Sequence, residues 1–552
     1  MGVPVATISS AGRRLDSNLE VLSLEIHREI NRIPGATLIL CDGSLAERRF
    51  KVSDLEFFLP GAPIAIALRY EGDPRDTTVF EGLVVRHAVE SNSDHSNLRI
   101  ELKDQAFVLS RGRHSAVFRE TTDSDVFTAL ILKAGLQTGA IVSTTTRQQE
   151  LVQYNATDWD FLVSRAEVLG LGVTVHRGVI SVRRLGLSSP RRQLDHGVDD
   201  LAEISLEIDG RDQWAEVSGI GWDLTNGKAT PPEAAEQPEA PIGNLNAQAM
   251  ATALGGNEEI LLHPAVFQPG ELKDWASARL LRSRLAMLRG RAMVAGDASL
   301  EPLDTVEILG VGDRFNGRAL VSAVTHRLDE NGWRSELRLG LPPEPFASRP
   351  DLAELPAAGL LPPLRGLQIA TVASLQTDDQ KQFRVQVRLP ALADDQGHLW
   401  ARLACPDAGD GRGFAFRPEV GDEVVLGFLD DDPRQPVVLG ALHSARNPPP
   451  SPVENPSESN DLRALVSRAG TRIVFDDGKP SLSIETTAAG NASGTYKNRI
   501  AIDEAAKTIT IEDQHGNAFV LRQEGVTLTS QGNITIEAGK KVVIKGQSVD
   551  LQ

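Results

Sequence analysis

The sequence predicts a mainly β fold with some helix, ending in an intertwined, triple-stranded β-helix built by three copies of the chain. Three observations carry that expectation. Glycine is abundant (48 residues) while aromatics make up only 5%, a balance that favours strands and turns over helical bundles. The stretch Arg365–Ser444 carries only strand and turn signals, and the C-terminal residues repeat a short apolar pattern at a nearly constant spacing.

A chain of 552 residues is too long for one ordinary core, so several domains are expected. Proline-rich stretches mark the breaks. Lys228–Asn246 reads as an exposed excursion, Pro342–Leu364 as a linker, and Asn447–Asn460 (NPPPSPVENPSESN) as a stiff extended spacer. The expected organisation is a first region over 1–345, a linker over 346–364, a barrel over 365–446, a second linker over 447–464 and the repeat region over 465–552.

In the first region, Leu98–Leu102 and Val179–Val182 alternate with the period of a strand. A helix is expected from Ser124 to Lys133 before Gly135. A second begins at a capping Asp158 and stops at Gly170, and a third covers Glu271–Arg289 with Ala278, Leu281, Leu285 and Leu288 on one face. Strands with scattered helices suit α+β modules built on barrels or sandwiches.

The second region offers strands at Arg384–Leu389, Trp400–Leu403, Glu423–Leu429 and Pro436–Leu442, with Asp430-Asp431-Asp432-Pro433 as a turn. That density suits a small closed barrel of the oligonucleotide/oligosaccharide-binding (OB) type.

The repeat region pairs apolar residues two apart: Ile500/Ile502, Ile509/Ile511, Phe519/Leu521, Val526/Leu528, Ile534/Ile536, Val542/Ile544 and Val549/Leu551. From Val526 through Ile534 to Val542 the period is eight. Each repeat is one strand with one apolar face and a polar turn, and such repeats must stack to hide that face. A period this short leaves one strand per repeat, so the other walls must come from other chains. Three chains about one axis close the structure and remove its open edges. The core of this element is expected at Val526, Leu528, Ile534, Ile536, Val542 and Ile544. An ordinary C-terminal sheet is the plainer alternative.

The formal charge of −18 argues against binding nucleic acid, which demands a basic face. Two distant cysteines, Cys41 and Cys405, form no disulfide framework or CxxC site and fit synthesis in a reducing compartment. Met1–Asn18 lacks the apolar core of a signal peptide and no stretch approaches a membrane span, so cytoplasmic synthesis is expected.

No residue pattern points to catalysis, a cofactor or a metal. Asp407–Gly413 (DAGDGRG) has spaced carboxylates but lacks a calcium loop's full spacing and bidentate Glu, so a barrel loop is the expectation. His27, His87, His95, His176, His263, His326 and His443 are scattered without a metal-binding spacing. Asp158 and Asp160, flanking Trp159, read as helix-start acids rather than catalytic ones.

Two segments carry a family resemblance. Pro418–Leu442 (PEVGDEVVLGFLDDDPRQPVVLGAL) resembles the OB-domain signature of the spike proteins of contractile injection systems, with its glycine turn, acidic-Pro turn and apolar strand ending in glycine in order. Tyr154–Glu167 (YNATDWDFLVSRAE) is similar to a helix of the hub domain in that family. The family includes valine-glycine repeat protein G (VgrG) of type VI secretion, contractile phage baseplate spikes and spikes of extracellular phage-tail-like particles.

The resemblance implies a hub of two barrel-like subdomains, an OB barrel and a β-helical needle, assembled as a homotrimer. It implies inner-tube or hub-adaptor and baseplate proteins as partners, with effector cargo. It also implies a proline-alanine-alanine-arginine (PAAR) type cone protein on the tip at Val549, Asp550, Leu551 and Gln552. The chain would pierce an envelope rather than catalyse a reaction, from within an injection particle. Some family members carry a lysozyme between barrel and needle, where Ala445–Asp461 offers only a spacer. Others carry a toxin after the needle, which is not expected here because the chain stops at Gln552. The competing reading is a cell-envelope glycan hydrolase on a β-helical stalk, which needs a carboxylate pair in a cleft of the first region.

Overall fold

The computed structural model describes residues 2–43, 48–92, 96–198, 201–239, 243–352, 354–376, 378–392, 397–487 and 498–550. The chain divides into two compact units, Met1–Glu354 and Leu355–Gln552.

The first unit is organised by a 13-stranded sheet. One half runs through Val21–Glu29, Gly35–Cys41, Ser96–Lys103, Thr77–Ser91 and Pro63–Tyr70 to Pro4–Ser10. The other runs through Gly317–Asp329, Gly332–Leu339 and Leu288–Ala295 to Leu201–Ile208. They join where Val21–Glu29 pairs antiparallel with Gly317–Asp329, with His27 opposite Thr325. Each half has its own core, one around Phe58, Ile66, Phe80 and Ile100 and the other around Met287, Val306, Val324 and Leu337. The period-two stretches Leu98–Leu102 and Val179–Val182 lie inside the strands Ser96–Lys103 and Val179–Arg184.

A helical module stands apart from the sheet. Its helices Asp123–Lys133 and Asp158–Val168 bury Phe127, Leu130, Trp159 and Leu162 against a small three-stranded sheet. The first starts at Asp123, one residue before the expected Ser124, and the second is capped by Thr157, one residue before the expected Asp158. Thr122 Oγ1 accepts the Asp125 N–H (3.3 Å) and Thr157 Oγ1 accepts the Asp160 N–H (3.0 Å). Asp158, the expected cap, is buried and accepts from Gln153 Nε2 at 2.8 Å. Gly170 ends the second helix at φ +67°, where a Cβ would be strained.

The third helix spans Glu271–Met287 and runs directly into the strand Leu288–Ala295. It is buried over Leu272, Ala276 and Leu280, and its last turns also bury Arg282 and Arg284. The apolar stripe at Ala278 and Leu281 is therefore not the face most deeply packed. The described residues of Lys228–Asn246 contribute only two-residue strands, and Asn246 caps a helix, Ala247–Ala253, that the sequence did not announce.

In the second unit, Gln368–Ser374, Val385–Arg388, His398–Leu403, Pro436–Ala441 and Glu423–Phe428 close into a five-stranded barrel in that order. Closure needs one parallel pair, with Arg402 opposite Val437. Val372, Val385, Val387, Val424, Leu426 and Val438 fill the interior. The acidic turn bends through Asp430 and Asp431, both at positive φ. Asp432 accepts the Arg434 backbone N–H (2.8 Å) and its guanidinium (2.6 Å).

The strands Leu462–Val466, Arg472–Asp476, Ser481–Thr486, Asn498–Asp503, Thr508–Glu512, Ala518–Arg522 and Gly525–Thr529 follow as an antiparallel meander in sequence order. The backbone neighbours of each repeat over 462–529 are thus the repeats before and after it in the same chain. The described residues beyond Thr529 form no strand within the chain.

Candidate functional site: the apolar face of the C-terminal sheet

Side chains on a strand alternate between faces, so the register of this meander sorts its residues. One face carries two continuous apolar columns. Cross-strand pairing runs Leu465–Ile473–Ile484–Ile500–Ile511–Phe519–Leu528 in the first. In the second it runs Phe475–Leu482–Ile502–Ile509–Leu521–Val526. β-Branched and aromatic cross-strand pairs of this kind hold neighbouring strands in register.

The other face is self-sufficient. Arg472 pairs with Glu485 at 2.6 Å, Glu485 with Arg499 at 3.4 Å, and Arg499 with Glu512 at 3.6 Å. Beside this ladder Val474 and Ala501 are already buried. The usual soluble-sheet arrangement is inverted, with the polar face satisfied and the apolar face bare.

Val526 and Leu528 lie on the last strand of that face, while Ile534, Ile536, Val542 and Ile544 lie in the segment without in-chain pairing. Exposure of the six expected core residues runs from 47% at Val542 to 67% at Ile536, while their column neighbours Ile473, Leu482 and Leu521 are half-buried. Among the tip residues, Val549 and Asp550 are exposed, and Leu551 and Gln552 lie outside the described residues. A contiguous apolar face of this length marks an interaction surface.

The remaining candidates hold structural posts. Asp407 is bound by both of its oxygens to Arg412 Nη1 (2.7 and 2.6 Å) across a two-residue hairpin. Among the described residues, no group of three or more His, Cys, Asp or Glu could hold a metal ion. His27 bridges Thr325 (2.9 Å) and Glu29 (3.0 Å) at the join of the two half-sheets. His87 donates from Nδ1 to Phe58 O (3.0 Å) and accepts from Ser53 (2.8 Å). His263 Nδ1 accepts the Ala265 N–H (3.1 Å), and His443 Nδ1 lies 3.3 Å from Asn447 O. His95 lies outside the described residues.

His176 and His326 flank buried Arg28, at 3.2 Å each. Burial, reinforced by that guanidinium, depresses the His326 pKa to about 3. His326 is therefore neutral, with Nε2 accepting from Arg28 and Nδ1 donating to Ser335 Oγ (2.9 Å).

The helix Asp158–Val168 does work that the sequence did not reveal. Glu167 Oε1 accepts from Asn31 Nδ2 (2.7 Å) and from Arg282, while Oε2 accepts the Phe346 backbone N–H (2.7 Å). Arg282 in turn donates to Pro342 O and Glu344 O (3.2 and 3.3 Å). One carboxylate thus gathers the end of a sheet strand, two helices and the departing chain at Leu341–Arg349.

The cavity beside this knot, about 190 Å3, is lined by three carboxylates, Glu29, Glu167 and Glu344. A glycosidase needs one carboxyl held protonated. Burial tends to raise the Glu29 carboxyl, but the hydrogen bond from His27 and the guanidiniums of Arg338 and Arg32 bring it below its ordinary value. Glu167 has both oxygens committed to donors. The Glu29 carboxyl, held below its ordinary value, is not set up as a general acid.

Known proteins share parts of this chain. Residues 368–443 match the family described as the type VI secretion system/phage-baseplate injector OB domain. VgrG3 of Vibrio cholerae, a type VI secretion system spike protein, is 29% identical over 212 residues, covering 33% of this chain and 20% of that protein. VgrG4b of Pseudomonas aeruginosa, another such spike protein, is 36% identical over 92 residues, covering 17% and 11%. The actin cross-linking toxin VgrG1 of Vibrio cholerae is 26% identical over 189 residues, covering 32% and 17%. The chain spans a fifth or less of the length of these relatives. Among solved structures, a tail protein of Neisseria meningitidis covers 61% of this chain and 97% of its own at 13% identity and TM-score 0.46. A Francisella PdpA–VgrG complex covers 96% and 80% at 10% identity and TM-score 0.39.

In its barrel and its sequence relatives the chain is similar to type VI secretion spike proteins and the phage-baseplate injector OB domain. The chain belongs to the family described as the Alg8 N-terminal domain, whose model matches residues 2–330, more than half of its length.

Proposed function

We propose that three copies of the chain assemble as the central structural spike of a contractile injection particle, each contributing one wall of a three-sided β-prism. The observation that carries this reading is the inverted C-terminal sheet. Its two apolar columns need cover along their whole length, and two further copies offer matching columns with no new chemistry. Beyond Thr529, where the chain makes no strand of its own, the period of eight suits winding of the three chains around one axis, with Val526, Leu528, Ile534, Ile536, Val542 and Ile544 in the core.

Residues 1–345 then serve as the hub that meets inner-tube and baseplate proteins, through two barrel-like subdomains. Residues 346–364 lead to the OB barrel over 365–446, and 447–464 to the needle over 465–552. Val549, Asp550, Leu551 and Gln552 present the tip to a PAAR-type cone protein, and effectors travel as separate cargo. The chain itself catalyses nothing: it is made in the bacterial cytoplasm, built into the particle and driven through an envelope. The engagement of Glu29 and Glu167 by donors supports this over a glycan hydrolase.

The test is the solution mass of the full-length protein against a version ending at Asn460. A trimer that becomes monomeric on truncation supports the reading. A monomer in both cases removes it.

A further inference from the structure

The OB barrel carries two apolar patches on its outside. The first is at its loops, where Phe383 is 84% and Phe416 65% exposed, with Phe414 and Val420 exposed beside Phe416. The Phe414 and Phe416 rings lie 6.4 Å apart. Arg417 Nη2 donates to Arg384 O at 3.3 Å, which sets the loop of Phe416 against the loop of Phe383. The second patch is on the wall. Side chains alternate along a strand, and Val424, Leu426 and Val438 fill the interior, so Val425, Gly427 and Leu439 face out. Leu367 and Leu439 approach each other over Gly427, where a Cβ would lie 3.8 and 3.3 Å from them, and Ile369 pairs with Val425.

The two patches differ in charge and in place. Exposed Arg417 and Arg402 border the first and form no ion pair among the described residues. The nearby acids Asp407 and Glu419 are taken by Arg412 and Arg468. The second is bordered by Glu423 and exposed Asp430, which form no ion pair among the described residues either, and Asp431 has only a long one with Arg365 at 3.9 Å. The Leu364 N–H bound to Asp431 O at 2.8 Å sets this acidic turn beside Leu367. The Glu419–Arg468 pair, at 3.1 Å, also ties the loop of the first patch to the turn between the first two strands of the C-terminal sheet. The aromatic patch thus adjoins the start of the element whose bare face calls for other copies.

Resting on the trimer proposed above, we infer that the aromatic patch of each barrel packs against the Leu367–Leu439 wall of a neighbouring copy, with Arg417 and Arg402 facing its Asp430 and Glu423. Two unlike patches on one small domain are what a head-to-tail contact needs, and three such contacts close under a threefold rotation. A self-complementary contact would use one patch twice and stop at two copies. Phenylalanine and arginine are also residue types enriched where protein interfaces hold most of their binding energy. Winding of the C-terminal strands holds the three barrels at high effective concentration, so the contact forms even where separate barrels would not meet.

The test is disulfide trapping in the full-length protein carrying Cys41→Ser and Cys405→Ser, with copper phenanthroline as the oxidant that joins two thiols. Two pairs are made, Phe416→Cys with Leu439→Cys and Phe383→Cys with Leu367→Cys, because a disulfide forms only where Cα atoms come within about 7 Å. Light scattering gives the solution mass before oxidation, and a non-reducing denaturing gel gives the linked species after it. A covalent trimer from at least one pair is expected, with every single-cysteine variant left as an unlinked chain. A linked dimer from a single variant means that like patches meet, and overturns the inference. So does a solution trimer in which neither pair links one chain to another, or in which the link closes within one chain. A monomeric solution mass before oxidation removes the trimer itself, and this contact with it. All four cysteine positions are exposed, so the variants fold as the parent does.

Discussion

Substituting Ile511 with aspartate tests the bare apolar face at its centre. In the isolated chain Ile511 is 47% exposed, with Ile500 and Phe519 as its cross-strand neighbours. If the single chain is the working unit, Ile511→Asp is a surface change worth within about 0.5 kcal/mol. If two other copies cover the face, the outcome is very different. Covering the remaining half of an isoleucine contributes about 1 kcal/mol per copy, and that is lost. A carboxylate placed there loses hydration at a cost of several kcal/mol, and the threefold axis brings three like charges together. The total is on the order of 10 kcal/mol per trimer, enough to abolish assembly. Thr510→Asp, one residue away on the opposite face, is the control. Light scattering after size exclusion gives the mass, and resistance to SDS gives the kinetic stability. The expected pattern is a wild-type trimer, a trimeric Thr510→Asp and a monomeric Ile511→Asp. An Ile511→Asp trimer of unchanged Tm would refute the reasoning.

Three further outcomes follow from the first unit. Glu167→Ala strands Arg282 without its carboxylate and should lower the stability of that unit by about 3–5 kcal/mol, with protease sensitivity rising first at Leu341–Arg349. A Cβ at Gly296 would lie 2.0 Å from the Trp333 ring, so Gly296→Ala should cost roughly 1–3 kcal/mol or more and alter the near-UV circular dichroism of that tryptophan. His326 refuses a proton until about pH 3, whereas in the unfolded chain it takes one near pH 6.5. Its stabilising effect is thus fully present above pH 6.5 and is lost as pH falls from there toward 3, by up to about 1.4 kcal/mol per pH unit. His326→Gln should flatten that part of the Tm–pH curve relative to wild type, and parallel curves would count against the assignment.

Patterns that depend on local periodicity were legible in the sequence. Four of the five barrel strands announce themselves by apolar alternation between turn residues. Gln368–Ser374 does not, because the side chains it turns inward, Ala370 and Val372, are small. Helix bodies were visible, but the cap of the second was placed one residue late, since Thr157 competes with an equally suitable Asp158 beside it. The apolar pairs were plain, yet their partners were not. Spacing alone does not say whether Ile500 pairs with Ile511 in its own chain or with a residue of another, and over 498–529 it pairs at home. The reading of the third helix named its apolar residues and gave its arginines no place. Only the fold shows Arg282 and Arg284 buried, because their contacts, Glu167 and Gln213, lie 115 and 71 residues away.

The change in pairing at Thr529 has a consequence for how the proposed trimer would assemble. Above it, each chain arrives with a finished wall whose backbone hydrogen bonds are already made, so the collision of three walls needs only side chains to mesh. Below it, nothing is formed until the three strands lie side by side. Assembly is therefore polarised: a concentration-dependent encounter at the upper walls sets the rotational phase, and a unimolecular zippering then runs to the C-terminus. The upper walls act as a foldon-like template, and an error in register made there is copied down the whole length. Dilution should slow the encounter and leave the zippering rate untouched.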